Sequence, residues 1–390
     1  MVVEGQLRLG QLFANRRERG RAGLPIMSVT MNDGLVERSS LDRKTDSALR
    51  PEDHLLIKAG DIAYNMMRMW QGASGLASRD GLISPAYVVL RPLDAIDPLF
   101  ASYWFKSARM VHLFWAYSYG LTSDRLRLYF KDFVTIPVVV PPISMQKRIA
   151  EMLRVWDQAQ RLVKKRLDGS LARKRALMQR LIGSQLHEDF ARSRNRVKVV
   201  EFGRIVQLRN DRYDPHDNGE SLPCVELEHI VSEEGRLLGT CRSDQQDSLK
   251  NRFSPGNILF GKLRPYLAKY FFPTFAGVCS TEIWVLECDA RVCEPKFLYY
   301  CVQTHSFIQR ASVGAGSKMP RAEWDWVSEI PIVLPGIVDQ RRIVEVLETC
   351  DREIAALNRH LDLLKEQKRG LMQKMLTGQD QVPTGKGGHR

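Results

Sequence analysis

The chain has 390 residues, with 58 Lys and Arg against 45 Asp and Glu, a formal net charge of +13 and a pI near 9.5. That length allows two or three domains, each with its own core. The opening "MVVEGQLRLGQLF" lacks the apolar core of a signal peptide, and no apolar run approaches the roughly 18 residues of a membrane span. The seven cysteines all lie in the second half, with no CxxC pair, and Cys288, Cys293 and Cys301 show no zinc spacing. Buried free thiols in a reducing cytoplasm are the expectation. The basic balance points to a polyanionic partner, nucleic acid before membrane.

The first recognisable elements are short strands, "DIAYNMM" and "AYVVLRP". Between them runs "MMRMWQGASGLASRD", read as a loop rich in basic and aromatic residues. Asn65, Arg68, Trp70, Gln71 and Arg79 belong to this region, and such side chains can address base edges and phosphates. The alternative is a core strand pair with snorkelling arginines. "DPLFASYWFKSARMVHLFW" follows as an amphipathic helix. "YGLTSDRLR" then supplies a glycine, hydroxyls and basic residues (Thr122, Ser123, Arg125, Arg127), suited to holding a phosphate or forming a plain turn.

From Ile136, "IPVVVPPISMQKRIAEML" begins a segment that recurs 194 positions later as "IPIVLPGIVDQRRIVEVL" from Ile330. The offset holds without a gap through Ile182 and Leu376, with 18 identities in 47 pairs. This is a duplication, and its period is far too long for a solenoid. Upstream the copies match more loosely. "AGDIAYNMMRMW" pairs with "PGNILFGKLRPY" and "GLISPAYVVL" with "GVCSTEIWVL", both at an offset of 196. The second copy therefore repeats strands ("NILFG", "IWVLEC"), a basic aromatic loop with Lys262, Arg264, Tyr266, Lys269 and Tyr270, and a helix ("EPKFLYYCVQTHSFIQRA"). Its "GAGSKMPRAEW" carries Ser317, Lys318 and Arg321.

Prolines at 141, 142 and 335 bar a helix before them and permit one after. A four-and-three spacing then picks out Ile149, Leu153, Trp156, Val163, Leu167 and Leu177 in the first copy. In the second it picks out Ile343, Leu347, Ile354, Leu357, Leu361, Leu364 and Leu371. A 3.5-residue period predicts a coiled-coil seam. Gln160, Ser170, Lys174 and Lys368 interrupt it. The expectation is that the two helices, each about 55 Å long, pack on each other antiparallel; the alternative is that each packs on its own domain. Charge is uneven along this axis, at +8 for 146–182 and +2 for 340–376. That excess suits either a DNA backbone or an acidic protein partner.

Enzyme signatures are missing from the reading. There is no GxxxxGK[ST] loop, no glycine-rich fingerprint for a methyl donor, no Asn-Pro-Pro-aromatic motif and no HExxH. Asp289, Glu294 and Lys296 imitate a nuclease set, but at short spacing and without a counterpart in the first copy. A nuclease and a structural adaptor that reads no sequence remain the competing classes.

The order of parts resembles the specificity subunit of type I restriction-modification systems. The resemblance rests on the repeated Ile-Pro-x-x-x-Pro-x-x-x-x-Gln-x-x-Ile: Ile136, Pro137, Pro141, Gln146, Ile149, then Ile330, Pro331, Pro335, Gln340, Ile343. The family's acidic residue before the glutamine is Asp339 in the second copy and Met145 in the first. It implies an α+β fold with two mixed α/β target-recognition domains in pseudo-twofold arrangement, separated by an antiparallel coiled coil of two long helices. The division would be domain one at 1–140, a long helix at 141–188, domain two at 189–335, a second helix at 336–378 and a disordered tail at 379–390. It further implies a non-catalytic, cytoplasmic subunit in phage defence. Each domain would read half of a split target in double-stranded DNA, and the seam residues would also serve docking. Two modification (methyltransferase) subunits would dock, with restriction (endonuclease/translocase) subunits outside. No cofactor or metal is implied on this chain; S-adenosylmethionine, ATP and Mg would sit on the partners.

Overall fold

The computed structural model describes residues 6–31, 33–41, 49–122, 124–182, 197–217, 221–313 and 319–376. The proposed tail at 379–390, and residues 183–188 of the first helical region, lie outside them. The chain forms two compact units, 1–164 with 359–390, and 165–358. The boundaries cut through both long helices, so each unit holds one mixed domain, the first half of one long helix and the second half of the other.

In the first unit a four-stranded antiparallel sheet runs in the order Phe13–Asn15, Tyr87–Pro92, Ile62–Asn65, Ser74–Leu76. The second unit builds the same sheet from Val206–Leu208, Ile283–Cys288, Ile258–Gly261 and Tyr270–Phe271. A second layer differs in completeness. In the second unit it is a five-stranded sheet whose only parallel pairing sets Cys224 beside Val278. In the first it is two separate ladders, with a parallel bridge from Ile26 to Leu82 at the corresponding place.

The helices are α1 (Pro98–Trp104), α2 (Ala108–Ala116), α3 (Phe130–Phe133) and α4 (Ile143–Ile182), then α5 (Pro295–Cys301), α6 (His305–Ala311), α7 (Trp324–Ser328) and α8 (Ile337–Leu376). Each amphipathic stretch expected as one helix is broken in two. Ser107 and Thr304 cause the breaks, because their side chains accept hydrogen bonds from the backbone N–H groups of Met110 and Phe307 and so start a new helix. The stretches between the paired strands are likewise more than loops, each holding a 3₁₀ turn and a further strand.

The Ile-Pro repeats are strands. Pro331–Pro335 pairs antiparallel along Val197–Glu201, and Pro137–Val138 along Leu7–Arg8. Each domain thus closes by laying its last strand beside its first, and the helix follows. Where strand turns into helix, one glutamine makes the same three hydrogen bonds in both units. Gln340 Nε2 donates to the carbonyls of Pro335 (2.8 Å) and Val292 (3.2 Å), and its Oε1 accepts from Glu294 N (2.8 Å). Gln146 Nε2 donates to Pro141 O (2.8 Å) and Ala95 O (3.0 Å), and its Oε1 accepts from Asp97 N (2.8 Å). Both side chains are buried.

The seam residues are all buried or half-buried, and they divide their contacts. Ile149 and Leu153 enter the first unit's core together with Leu371, Met372, Met375 and Leu376 from the end of α8. Leu177, Met178, Leu181 and Ile182 from the end of α4 enter the second unit's core beside Ile343, Val344 and Leu347. Mutual pairing and packing on a domain therefore coexist on each helix. Within each unit the two helices run antiparallel: Asp157 meets Lys368 and Gln160 meets Leu364 in the first, and Lys174 meets Asp351 in the second.

Replacing Gln340 by Met would strand two carbonyls and one N–H, each costing about 1–3 kcal/mol when buried. Gln340→Met is expected to lower stability by about 3 kcal/mol, measured by urea unfolding of the full chain, and Gln146→Met by a similar amount.

Candidate nucleic-acid interface

The basic loops occupy matching places in the two units. Arg68 precedes the 3₁₀ turn Met69–Gln71, and Arg264 precedes Pro265–Leu267, 196 positions later. The aromatic residue two places on is Trp70 in one and Tyr266 in the other. Backbone hydrogen bonds then bring the second candidate segment against the first. Met66 O accepts from Leu128 N (2.9 Å); in the other unit Lys262 O accepts from Ala322 N (2.8 Å), and Arg264 N donates to Pro320 O (2.7 Å). The two stretches that composition alone kept apart form one surface in each unit.

Not every cation there is available. Arg321 holds Glu282 through both Nε and an Nη, and Arg79 is ion-paired with Glu37. Lys269 Nζ donates to Leu227 O at 2.6 Å. Asn65 Oδ1 accepts from Met67 N (3.0 Å) and Trp70 Nε1 donates to Met67 O (3.0 Å), so these two build the turn itself. Among the described residues the Arg68 side chain reaches Gln71 Oε1 at 3.4 Å and no carboxylate, and Arg264, Arg125 and Arg127 are exposed without a carboxylate partner. Thr122 donates to Asp124 Oδ1 (2.5 Å); Lys262 is half-buried and Tyr266 exposed. Ser123, Ser317 and Lys318 lie outside the described residues. Met67, Trp115, Tyr119 and Leu121 are exposed near the same loops of the first unit, although nothing in composition separates an exposed apolar residue from a core one.

The imitation nuclease set disperses. Asp289 pairs with Arg291, which holds its carboxyl down at about 2. Glu294 pairs with Arg341 and Lys296 with Glu348. No group of three or more His, Cys, Asp or Glu among the described residues is placed to hold a metal ion.

On the helix side, the seam-breaking lysines are each engaged. Lys174 Nζ lies 2.6 Å from Asp351, which also accepts from the Tyr300 hydroxyl at 2.7 Å. Lys368 Nζ lies 2.5 Å from Asp157, which accepts from the Tyr103 hydroxyl at 2.5 Å. Each ammonium also sits over the ring of its tyrosine, at 5.3 and 4.8 Å. Burial, reinforced by the aspartates, pushes both tyrosine hydroxyls above their ordinary pKa, so they remain donors across the neutral range. Gln160 Nε2 donates to Leu364 O and Ser170 is buried. Part of the excess charge of α4 is used internally: Arg166 and Arg173 share Glu353, and Arg175 reaches Glu233. Arg161, Lys164 and Lys165 are exposed. The second unit also has a cleft of about 1380 Å³ bordered by Lys174, Glu233, Tyr270, Tyr299 and Asp351.

A family model for the type I restriction modification DNA specificity domain matches residues 197–366. The chain is 28% identical over 152 residues to the EcoDI specificity subunit of Escherichia coli, a match spanning 38% of this chain and 33% of that one. Against the MjaVIII specificity subunit of Methanocaldococcus jannaschii it is 20% identical over 356 residues, 84% of this chain and 81% of the relative. Among solved structures, a type I restriction-modification S subunit from M. genitalium shares the fold at TM-score 0.57, with 16% identity and 95% of each chain covered. A chain from a structure of type I complex assembly and conformational transition gives 0.54 at 16% identity, covering 95% of this chain and 97% of that one.

Ala268 closes its 3₁₀ turn at φ 48°, where the equivalent residue of the first unit, Gly72, sits at φ 86°. Alanine is strained in this left-handed region. Ala268→Gly is therefore expected to raise stability by roughly 0.5–1 kcal/mol in thermal unfolding.

Proposed function

The chain belongs to the specificity subunits of type I restriction-modification systems, and from that membership we propose that it reads a two-part target in double-stranded DNA, one half-site per domain. It is itself the non-catalytic member of such a system. The observation carrying the proposal is the paired loop surface, built at matching places in the two units around turns of different backbone conformation. Arg68 with Trp70, and Arg264 with Tyr266, occupy equivalent positions, while the glutamines, strands and helices behind them repeat. Arginine can bond a guanine edge through two N–H groups, and the aromatic beside it offers an apolar face. A net charge of +13 supplies attraction to the phosphates.

In this reading α4 and α8, 40 residues each and about 60 Å long, set the unspecified gap. Their outward faces dock two modification subunits, with restriction subunits outside. S-adenosylmethionine, ATP and Mg serve those partners. The complex works in the cytoplasm against phage; no described helix is long and apolar enough to cross a membrane.

The test is to assemble the chain with its modification subunits and sequence the methylated sites. Exchanging residues 1–135 for those of a relative should change one half-site and leave the other. A change in both, or in neither, would break the assignment of one half-site to each domain. Arg264→Ala should cost about 1–3 kcal/mol and relax one position of the second domain's half-site. Replacing Arg161, Lys164 and Lys165 by Ala should weaken all targets alike and flatten the salt dependence by about 0.9 per lost phosphate contact. Unchanged salt dependence would assign that face to a protein partner.

A further inference from the structure

We propose that the two Tyr–Asp–Lys junctions lock the register in which the long helices pair, and so fix the gap length the complex accepts. This deepens the half-site reading above and rests on it.

The same three residue types meet at equivalent places in both units: Tyr103, Asp157 and Lys368 in the first, Tyr300, Asp351 and Lys174 in the second. Each junction joins three elements. The tyrosine comes from the domain (α1 or α5), the aspartate from that domain's own long helix, and the lysine from the opposite one. The lysines stand at seam positions where aliphatic side chains otherwise dominate, and their side chains are only 14% and 17% exposed.

An aliphatic seam alone specifies register weakly, because a slip of one heptad sets apolar against apolar again. The lysines remove that freedom. Slipping one heptad in either direction would set Lys174 against Val344 or Asn358, and Lys368 against Ala150 or Lys164. Both ammonium groups would lose their carboxylates, and one direction would oppose two lysines. A desolvated charge without a partner is far more costly than the pair adds when formed. The penalty therefore falls on wrong registers more than the reward falls on the right one. One heptad is about 10 Å of helix, or about three base pairs at 3.4 Å each.

The experiment uses the full chain assembled with modification subunits and duplexes that keep both half-sites while varying the gap by one to three base pairs. Wild type should methylate one gap length at least tenfold faster than its neighbours. Lys174→Met and Lys368→Met combined with Asp157→Asn and Asp351→Asn remove both charges of each pair and leave no stranded carboxylate, so this methionine variant should melt within a few degrees of wild type. Its preference for the native gap should nevertheless fall at least fivefold. Tyr103→Phe with Tyr300→Phe keeps both ion pairs and rings, and should give an intermediate profile. A folded methionine variant with the wild-type gap profile would reduce the junctions to ordinary stabilising contacts. Should the methionine variant fail to fold, Asp157→Asn with Asp351→Asn decides by the same profile. A wild-type complex that methylates no two-part target would instead overturn the half-site reading itself.

Discussion

Everything else in each unit is arranged around one buried amide at the point where strand becomes helix. Gln146 and Gln340 each donate to the carbonyl of the proline five residues back and to a carbonyl of the loop before α1 or α5, and each accepts from the N–H that begins that helix. Three backbone groups that would otherwise be buried without partners are satisfied at once. A buried amide with three partners has one orientation, so the direction in which the long helix leaves the domain is fixed. The spacing Pro-x-x-x-x-Gln thereby acquires a physical meaning. The proline ends the strand, its carbonyl is left over, and the glutamine one helical turn in reaches back to take it.

That constraint explains how the two copies could drift elsewhere. The four-stranded sheet keeps its order in both units, and the strand beside the chain's entry into each domain closes it. What sits on the loops outside this frame is unconstrained by it. The second layer is a continuous five-stranded sheet in one unit and two short ladders in the other, and Arg264 is left-handed where Arg68 is not. The frame tolerates these differences because none of them touches the glutamine or the seam.

Much of this was legible in the sequence, and the exceptions have a common cause. The duplication, the long helices and the main strands follow from local pattern, and local pattern is what periodicity records. The partner of the Ile-Pro segment was not legible: Val199 lies opposite Val333, well over a hundred residues away, and nothing nearby encodes that pairing. The breaks at Ser107 and Thr304 were in principle readable as N-caps inside an apolar run, but the hydrophobic pattern continues across them and masks the interruption. The loops also show why composition overstates a binding surface. Arg79 and Arg321 look equivalent to Arg68 and Arg264 on paper, yet their carboxylate partners Glu37 and Glu282 come from strands or turns distant in sequence.

The seam lysines carry the same lesson in the opposite direction. Read along one helix, Lys174 and Lys368 are faults in a zipper. Read across the pair, each is placed where an aspartate of the opposite helix and a tyrosine of the domain meet it, and the two sites are copies of one another. The basic excess of α4 must be divided in the same way. Arg166 and Arg173 converge on Glu353, and Arg175 turns to Glu233, so those charges neutralise the chain's own acids. The charge offered outward on that helix is therefore less than its composition suggests: Arg161, Lys164 and Lys165 form its densest exposed group, with Lys147 and Arg180 exposed toward its two ends.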